Sequence, residues 1–419
     1  MNALIKSATI VDSKSDFHNE KVDILIEKGR ISKISKQISN PNKYKEIKRH
    51  NLHVSQGWFD SSVSFGEPGY EERETISNGL KTAARSGFTS VALNANANPV
   101  IDSYADIALV KAKSNDNAVK LYPIGALTKS SSGIDLAELF DMTNAGAVAF
   151  YDYQNPISNP NLMKIALQYA SNFDGLVCSF PQENRISGSG VVNEHINSTM
   201  LGLKGNPALS EELQVARDLF LVEYTEGKLH IPTISTAKSV ELIRAAKTKN
   251  LNVSCSVAIH NLVLTDAVLT DFDTNYKVLP PLRTQNDCDA LIEGLKDGTI
   301  DMVTTDHNPI DIEFKKIEFD FAKYGTIGLE SAFGALQTIF TTKKTVALLT
   351  QGKSRFGISE TSIKEGELAD LSLFNPDVSY EFSKNHISSK SKNSAFLGKT
   401  LKGETYGIIA NKKIILRNG

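Results

Sequence analysis

Lys228-Leu229-His230-Ile231-Pro232, the stretch from Val240 to Lys249, and Asn252-Val253-Ser254-Cys255-Ser256-Val257 decide the fold. They read as a short apolar strand, an amphipathic helix and a second apolar strand. The same alternation extends outward in both directions. Upstream, a helical pattern from Glu211 to Tyr224 precedes the unit. Before that, Gly175-Leu176-Val177-Cys178 follows a helical pattern from Leu162 to Phe173, and Gly146-Ala147-Val148-Ala149-Phe150 follows one containing Leu136, Leu139 and Phe140. Earlier still, Phe88-Thr89-Ser90-Val91-Ala92-Leu93 follows a helix ending near Arg85-Ser86-Gly87. Downstream, Asp301-Met302-Val303-Thr304-Thr305 follows Cys288 to Lys296. Strands joined through helices are parallel, because a parallel pair needs a long crossover. In a chain of 419 residues the leading arrangement is a closed (β/α)8 TIM-type barrel, with an open doubly wound sheet as the alternative. No GxGxxG or phosphate-loop motif follows the first strand, which argues against nucleotide binding there.

Both ends of the chain read differently. Ala8-Thr9-Ile10-Val11, Val22 to Ile26 and Ile31 to Ile34 are short strands separated by turns. Ala369 to Phe374, Ile408 to Ala410 and Lys413 to Leu416 repeat that style at the other end. The expected fold class is therefore α/β, with a barrel over residues 56–361. A small composite β-sandwich domain is expected from residues 1–55 and 362–419; two unrelated β appendages are the alternative.

Composition narrows the function classes. Apolar residues make up 41% and charged residues 22%, ordinary for a soluble globular chain. A formal net charge of -2 offers no general attraction for nucleic acid or an anionic membrane. Cys178, Cys255 and Cys288 have no CxxC spacing and suit a reducing compartment as small buried hydrophobes. No apolar run of membrane-spanning length and no secretory h-region is expected, so a cytoplasmic location is. The charge runs Lys43 to Arg49 and Lys390 to Lys392 read as solvated surface.

A family resemblance emerges from motifs in a fixed order. Gly57-Trp58-Phe59-Asp60 leads to Glu67-Pro68-Gly69-Tyr70-Glu71, Gly87-Phe88-Thr89-Ser90-Val91 and Asn98-Pro99-Val100-Ile101-Asp102. Further on come Leu201-Gly202-Leu203-Lys204-Gly205, Ile234-Ser235-Thr236 and Pro280-Pro281-Leu282-Arg283. Asp297-Gly298-Thr299-Ile300-Asp301, Thr305-Asp306-His307, Gly328-Leu329-Glu330-Ser331 and Ile363-Lys364-Glu365-Gly366 complete the set. From near Val22 to the last strand the chain resembles a type I dihydroorotase of the amidohydrolase superfamily. The resemblance implies a (β/α)8 barrel that opens or closes the amide ring of dihydroorotate in pyrimidine synthesis. It also implies an active site at the C-terminal strand ends, zinc to activate water, and an aspartate as proton shuttle.

Matched to that family's motifs, the zinc ligands are mostly missing. The His-x-His positions are Ser62 and Ser64, the bridging carboxylate position is Tyr153, and the next two histidine positions are Ser179 and Thr233. Only Asp306 of the usual set remains, and one carboxylate cannot supply the three or four donors of a zinc site. No cofactor is therefore expected. Among substrate-binding positions Asn96 is retained, whereas Gly66, Leu279 and Ile310 replace an arginine, an asparagine and a histidine. His230, three residues before Thr233 on an extended segment, is expected to face away from the barrel interior. His307 reads as structural, His260 is not at a ligand position, and Tyr151 and Tyr153 are candidates to fill the space metals would take.

The leading expectation is a degenerate, zinc-ligand-deficient pseudoenzyme in pyrimidine biosynthesis, acting as a structural or regulatory partner of aspartate transcarbamoylase. The resemblance carries that partner, because several type I dihydroorotases associate with the transcarbamoylase and inactive homologues serve as scaffolds. Homo-oligomerisation is expected as well. Two rivals stand beside it: an active amidohydrolase on dihydroorotate or another cyclic amide with a rearranged or absent metal site, and a small-molecule binding protein.

Overall fold

In a computed structural model, which describes residues 1–417, two eight-stranded sheets have separate cores, and Val192–Asn193 pairs with Gly205–Asn206 in a small third sheet. Eight strands form the barrel wall: Trp58–Val63, Phe88–Leu93, Lys120–Gly125, Ala149–Phe150, Val177–Cys178, Leu229–Ile231, Val253–Ala258 and Met302–Thr304. Every neighbouring pair is parallel. The wall closes between first and last strands through a parallel bridge of Val63 with His307 and a 2.7 Å hydrogen bond from Ser64 N to the His307 carbonyl. The arrangement is the closed barrel, not the open sheet.

Period-two alternation assigns the faces of each strand. Val91, Phe150, Val177, Leu229, Ile231 and Val303 point outward to the surrounding helices. Phe59, Ala92, Ile124, Ala149, Cys178 and Met302 point inward and pack with Phe356 as a separate interior cluster. Helices such as Ala208–Thr225, Ala237–Thr248 and Gln285–Asp297 cover the outside. Two of these start on side-chain caps: Thr236 accepts from Ser239 N, and Thr284 forms a capping box with Asp287.

The second sheet takes strands from both ends of the chain. Ala3–Ile10, Lys21–Glu27, Arg30–Ser35, Lys45–Ile47 and His53–Gln56 join Leu371–Glu381, Thr400–Ala410 and Lys413–Leu416. The join is the antiparallel register Leu371↔Gln56 to Phe374↔His53. Among the described residues no helix is long and apolar enough to cross a membrane.

Trp58 ties the two parts together. Its buried indole stacks on Phe333 at 5.0 Å and lies 5.5 Å from Phe374, which belongs to the terminal sheet. Its Nε1 donates to Ser55 Oγ at 2.9 Å. Truncating it removes the largest buried side chain at the junction and its hydrogen bond to Ser55. Trp58→Ala should therefore cost about 3–5 kcal/mol, read as a lowered thermal midpoint, whereas Trp58→Phe should recover most of the loss.

Candidate functional site

The barrel mouth is built by residues just beyond the first and eighth strands. Asp60 is fully buried and receives the Thr304 hydroxyl at 2.5 Å, the Thr305 hydroxyl, and Thr305 N at 3.2 Å. Burial nevertheless pushes its pKa up to about 6, with the threonine hydrogen bonds opposing the rise. This contact fixes the last strand against the first, and the next inward positions then meet. Asp306, in the left-handed region at φ 45°, turns its carboxylate toward Ser62.

Asp306 Oδ1 accepts from Ser62 Oγ at 3.0 Å and from the Tyr153 hydroxyl at 3.1 Å. Asn94 Nδ2 donates to Ser62 Oγ at 3.0 Å and Ser64 Oγ at 3.2 Å, while its Oδ1 has no partner among the described residues. Asp306 is 5% exposed, and Tyr153 is buried edge-on against Tyr151. Burial raises the Asp306 pKa to about 7 against the two hydrogen bonds, and burial beside Asp306 drives the Tyr153 phenol well above its ordinary value. The assembly is a protonatable carboxyl solvated by neutral hydroxyls and an amide.

The structure thus brings Ser62, Ser64, Tyr153 and Asp306 together. Ser179 is turned to the outer helix, where it donates to Asp218 Oδ2 at 2.5 Å. Thr233 is buried at φ 51°, with its N donating to Ser256 Oγ at 3.3 Å. Asn96 is half-buried with no hydrogen bond to this cluster. Asp152 is engaged elsewhere, accepting from Leu127 N and Thr128 N at 2.8 and 3.0 Å. Asn94 was not singled out from sequence; its one signal is a polar residue directly after the apolar run Val91 to Leu93.

His230 corrects the sequence expectation. It points into the barrel, with Nδ1 2.9 Å from Ser254 Oγ, Nε2 3.3 Å from Ser256 Oγ, and its ring against Phe356. The strand ends at Ile231 and the chain turns at Thr233, so the two-residue parity that placed His230 outside does not extend across the turn. Burial lowers its pKa to about 3, so the ring is neutral. His307 is structural as expected: Nδ1 accepts from Gly328 N at 3.2 Å, and burial lowers its pKa to about 4. Cys178 and Cys288 are buried thiols pushed up to about 12 by desolvation.

These residues do not fit a zinc ion. Such a site needs three or more charged or imidazole donors converging at about 2 Å. Among the described residues no group of three or more His, Cys, Asp or Glu could hold a metal. At Gly66, the position expected from the family resemblance to carry an arginine, the backbone leaves no room for a side chain. A Cβ at Gly66 would lie 1.9 Å from the Tyr70 carbonyl oxygen, so no arginine can stand there without moving that loop. Leu279 and Ile310 are buried.

The fold is one that solved structures share. Along almost its whole length it superposes on the L-hydantoinase (dihydropyrimidinase) from Arthrobacter aurescens, with a TM-score of 0.84 at 19% identity, covering 99% of this chain and 97% of that one. The dihydropyrimidinase from Brevibacillus agri NCHU1002 gives 0.83 at 19% identity over 100% and 95%. The Dihydro-orotase-like family matches residues 53–239. The dihydroorotase of Pelotomaculum thermopropionicum is 41% identical over 100% of this chain and 99% of its own, and that of Geobacter metallireducens 37% over 100% of both. The chain belongs to the dihydroorotase family.

The raised pKa of Asp306 has a signed consequence. Its ordinary value is 3.8 and its folded value about 7, so the neutral form is the one the fold favours. The associated stability is complete below about 4 and is lost as pH rises through about 7. Asp306→Asn removes that titration. Thermal melts should show the variant gaining on the parent by on the order of 3 kcal/mol between pH 4 and pH 8. Parallel pH profiles for the two proteins would contradict the assignment.

Proposed function

We propose that this chain is a catalytically silent dihydroorotase homologue of pyrimidine biosynthesis, a cytoplasmic homo-oligomer retained as a structural or regulatory partner of aspartate transcarbamoylase. The observation that carries the silence is the coordination of Asp306 by Ser62 and Tyr153. Both hydrogen bonds fall on Oδ1, and a serine and a phenol are not the neighbours that assemble a metal. The relatives named above support the pathway, being called dihydroorotases along the full length of this chain.

Retention of the framework supports the scaffold role. The glycines at tight approaches are in place: Gly69 at φ 91° would drive a Cβ to 2.0 Å from the Asn98 carbonyl oxygen, and Gly87 at φ 90° packs against Trp58. Changes concentrated at the mouth, with the turns and core preserved, are what selection on folding and surface leaves behind. The partner interface would need to bury about 1,200 Å² or more in total.

A second reading rests on the same carboxyl. A buried aspartate whose pKa lies near 7 has the acidity of a general base, which keeps a metal-free cyclic amidohydrolase in play. Two measurements separate the readings. Purified protein should carry well below one zinc per chain and show no dihydroorotate hydrolysis above background. Turnover abolished by Asp306→Ala, or stoichiometric zinc lost on changing Asp306, would remove the silent reading. Co-expressed with the transcarbamoylase of the same organism, the chain should co-elute with it in size-exclusion chromatography with light scattering. Separate elution at micromolar concentration, with a transcarbamoylase fully assembled and active alone, would end the partnership.

A further inference from the structure

A cavity of about 520 Å³ lies at the end of the barrel opposite the mouth. Its walls come from three sources. Thr89 and Ser90 start the second barrel strand, and Lys120 and Tyr122 start the third. Lys353, Gly357 and Ile358 belong to the chain leaving the barrel. Asp370 and Lys412 come from the terminal sheet. Its volume lies in the range that small-molecule sites occupy.

Lys353 is the unusual member. Its side chain is 2% exposed, yet its ammonium has one protein partner among the described residues, Asp370 Oδ2 at 3.4 Å. That distance exceeds an ordinary charge-assisted hydrogen bond, and an ammonium carries three donors. Asp370 Oδ2 is shared with the Thr361 hydroxyl at 3.3 Å. A buried charge with spare donors is expensive unless something supplies acceptors. Lys120 and Lys412 stand at the exposed rim with no carboxylate partner among the described residues, so three lysines face one aspartate. The Tyr122 hydroxyl likewise has no protein partner among the described residues.

We propose that this cavity binds a small oxyanion, a carboxylate or phosphate group on a metabolite-sized molecule, with Lys353 as its buried anchor and Lys120 and Lys412 drawing it in. Bound there, the ligand bridges the barrel floor and the terminal sheet and so stabilises their junction. The site is separate from the mouth and does not depend on whether Asp306 is silent.

The test uses the full chain, titrated calorimetrically and melted with sodium phosphate and with sodium succinate, each matched in ionic strength by chloride. Saturable binding of one anion, with a raised thermal midpoint, is expected; which of the two binds identifies the group recognised. Lys353→Met should weaken binding about tenfold or more, as loss of a charged hydrogen-bond donor does. Should that variant not fold, the exposed pair Lys120→Glu and Lys412→Glu carries the test and should also weaken binding. Asp306→Asn should bind as the parent does. No saturable binding of either anion, binding indifferent to the lysine changes, or binding lost in Asp306→Asn would each overturn the proposal.

Discussion

The clamp of Thr304 and Thr305 on Asp60 is the constraint from which the mouth follows. A barrel of parallel strands closes only if its first and last strands meet in register, and here a fully buried carboxylate receives two hydroxyls and a backbone amide across that seam. An ionised carboxylate at such depth requires donors on every side, so the seam is costly to open and specific in register. Once Asp60 is held, Ser62 and Asp306 face one another, and the site's composition is decided by which side chains occupy positions already fixed by the closure.

Those side chains solve an electrostatic problem. Two carboxyls, Asp60 and Asp306, are buried in one low-dielectric region, and after burial itself the charge of Asp60 adds to the cost of ionising Asp306. Among the described residues no cation stands beside them, and the chain meets both with hydroxyls and backbone amides. Burial pushes both carboxyls up, Asp60 to about 6 against four donors, two of them backbone amides, and Asp306 to about 7 against two hydroxyls. Tyr153 contributes volume as well as a hydrogen bond, since its ring packs against Tyr151 in the space above the interior cluster.

Periodicity alone made the barrel readable, because each βα unit repeats a pattern set by local physics. The strands Phe88–Leu93 and Val253–Ala258 stand nearly where their apolar runs lie. Ala149–Phe150 and Val177–Cys178 are shorter than their runs, because pairing is limited by neighbours that no local pattern encodes. At the site, Ser62, Ser64, Tyr153 and Asp306 were readable as a group through motif order. His230 was misplaced because parity fails across the turn at Thr233, and Asn94 was missed because it matches no ligand position. The conflict at Gly66 depends on a carbonyl four residues away, and the pairing of Lys353 with Asp370 joins the barrel to the terminal sheet. Such contacts are invisible until the chain is folded.

The arrangement at the mouth also resists conversion to a metal site by single changes. A carboxylate at position 153 would remove a phenol that fills buried space and donates to Asp306, leaving a cavity and a second charge beside an already unfavourable one. Histidine at position 62 alone would take the hydroxyl from Asp306 and displace Asn94 without completing a donor set. Position 66 could not accept arginine until the loop carrying the Tyr70 carbonyl moved. Each such substitution on its own costs packing or hydrogen bonds and yields no metal site. The neutral arrangement therefore behaves as a local optimum, held by the same close packing that keeps the barrel folded.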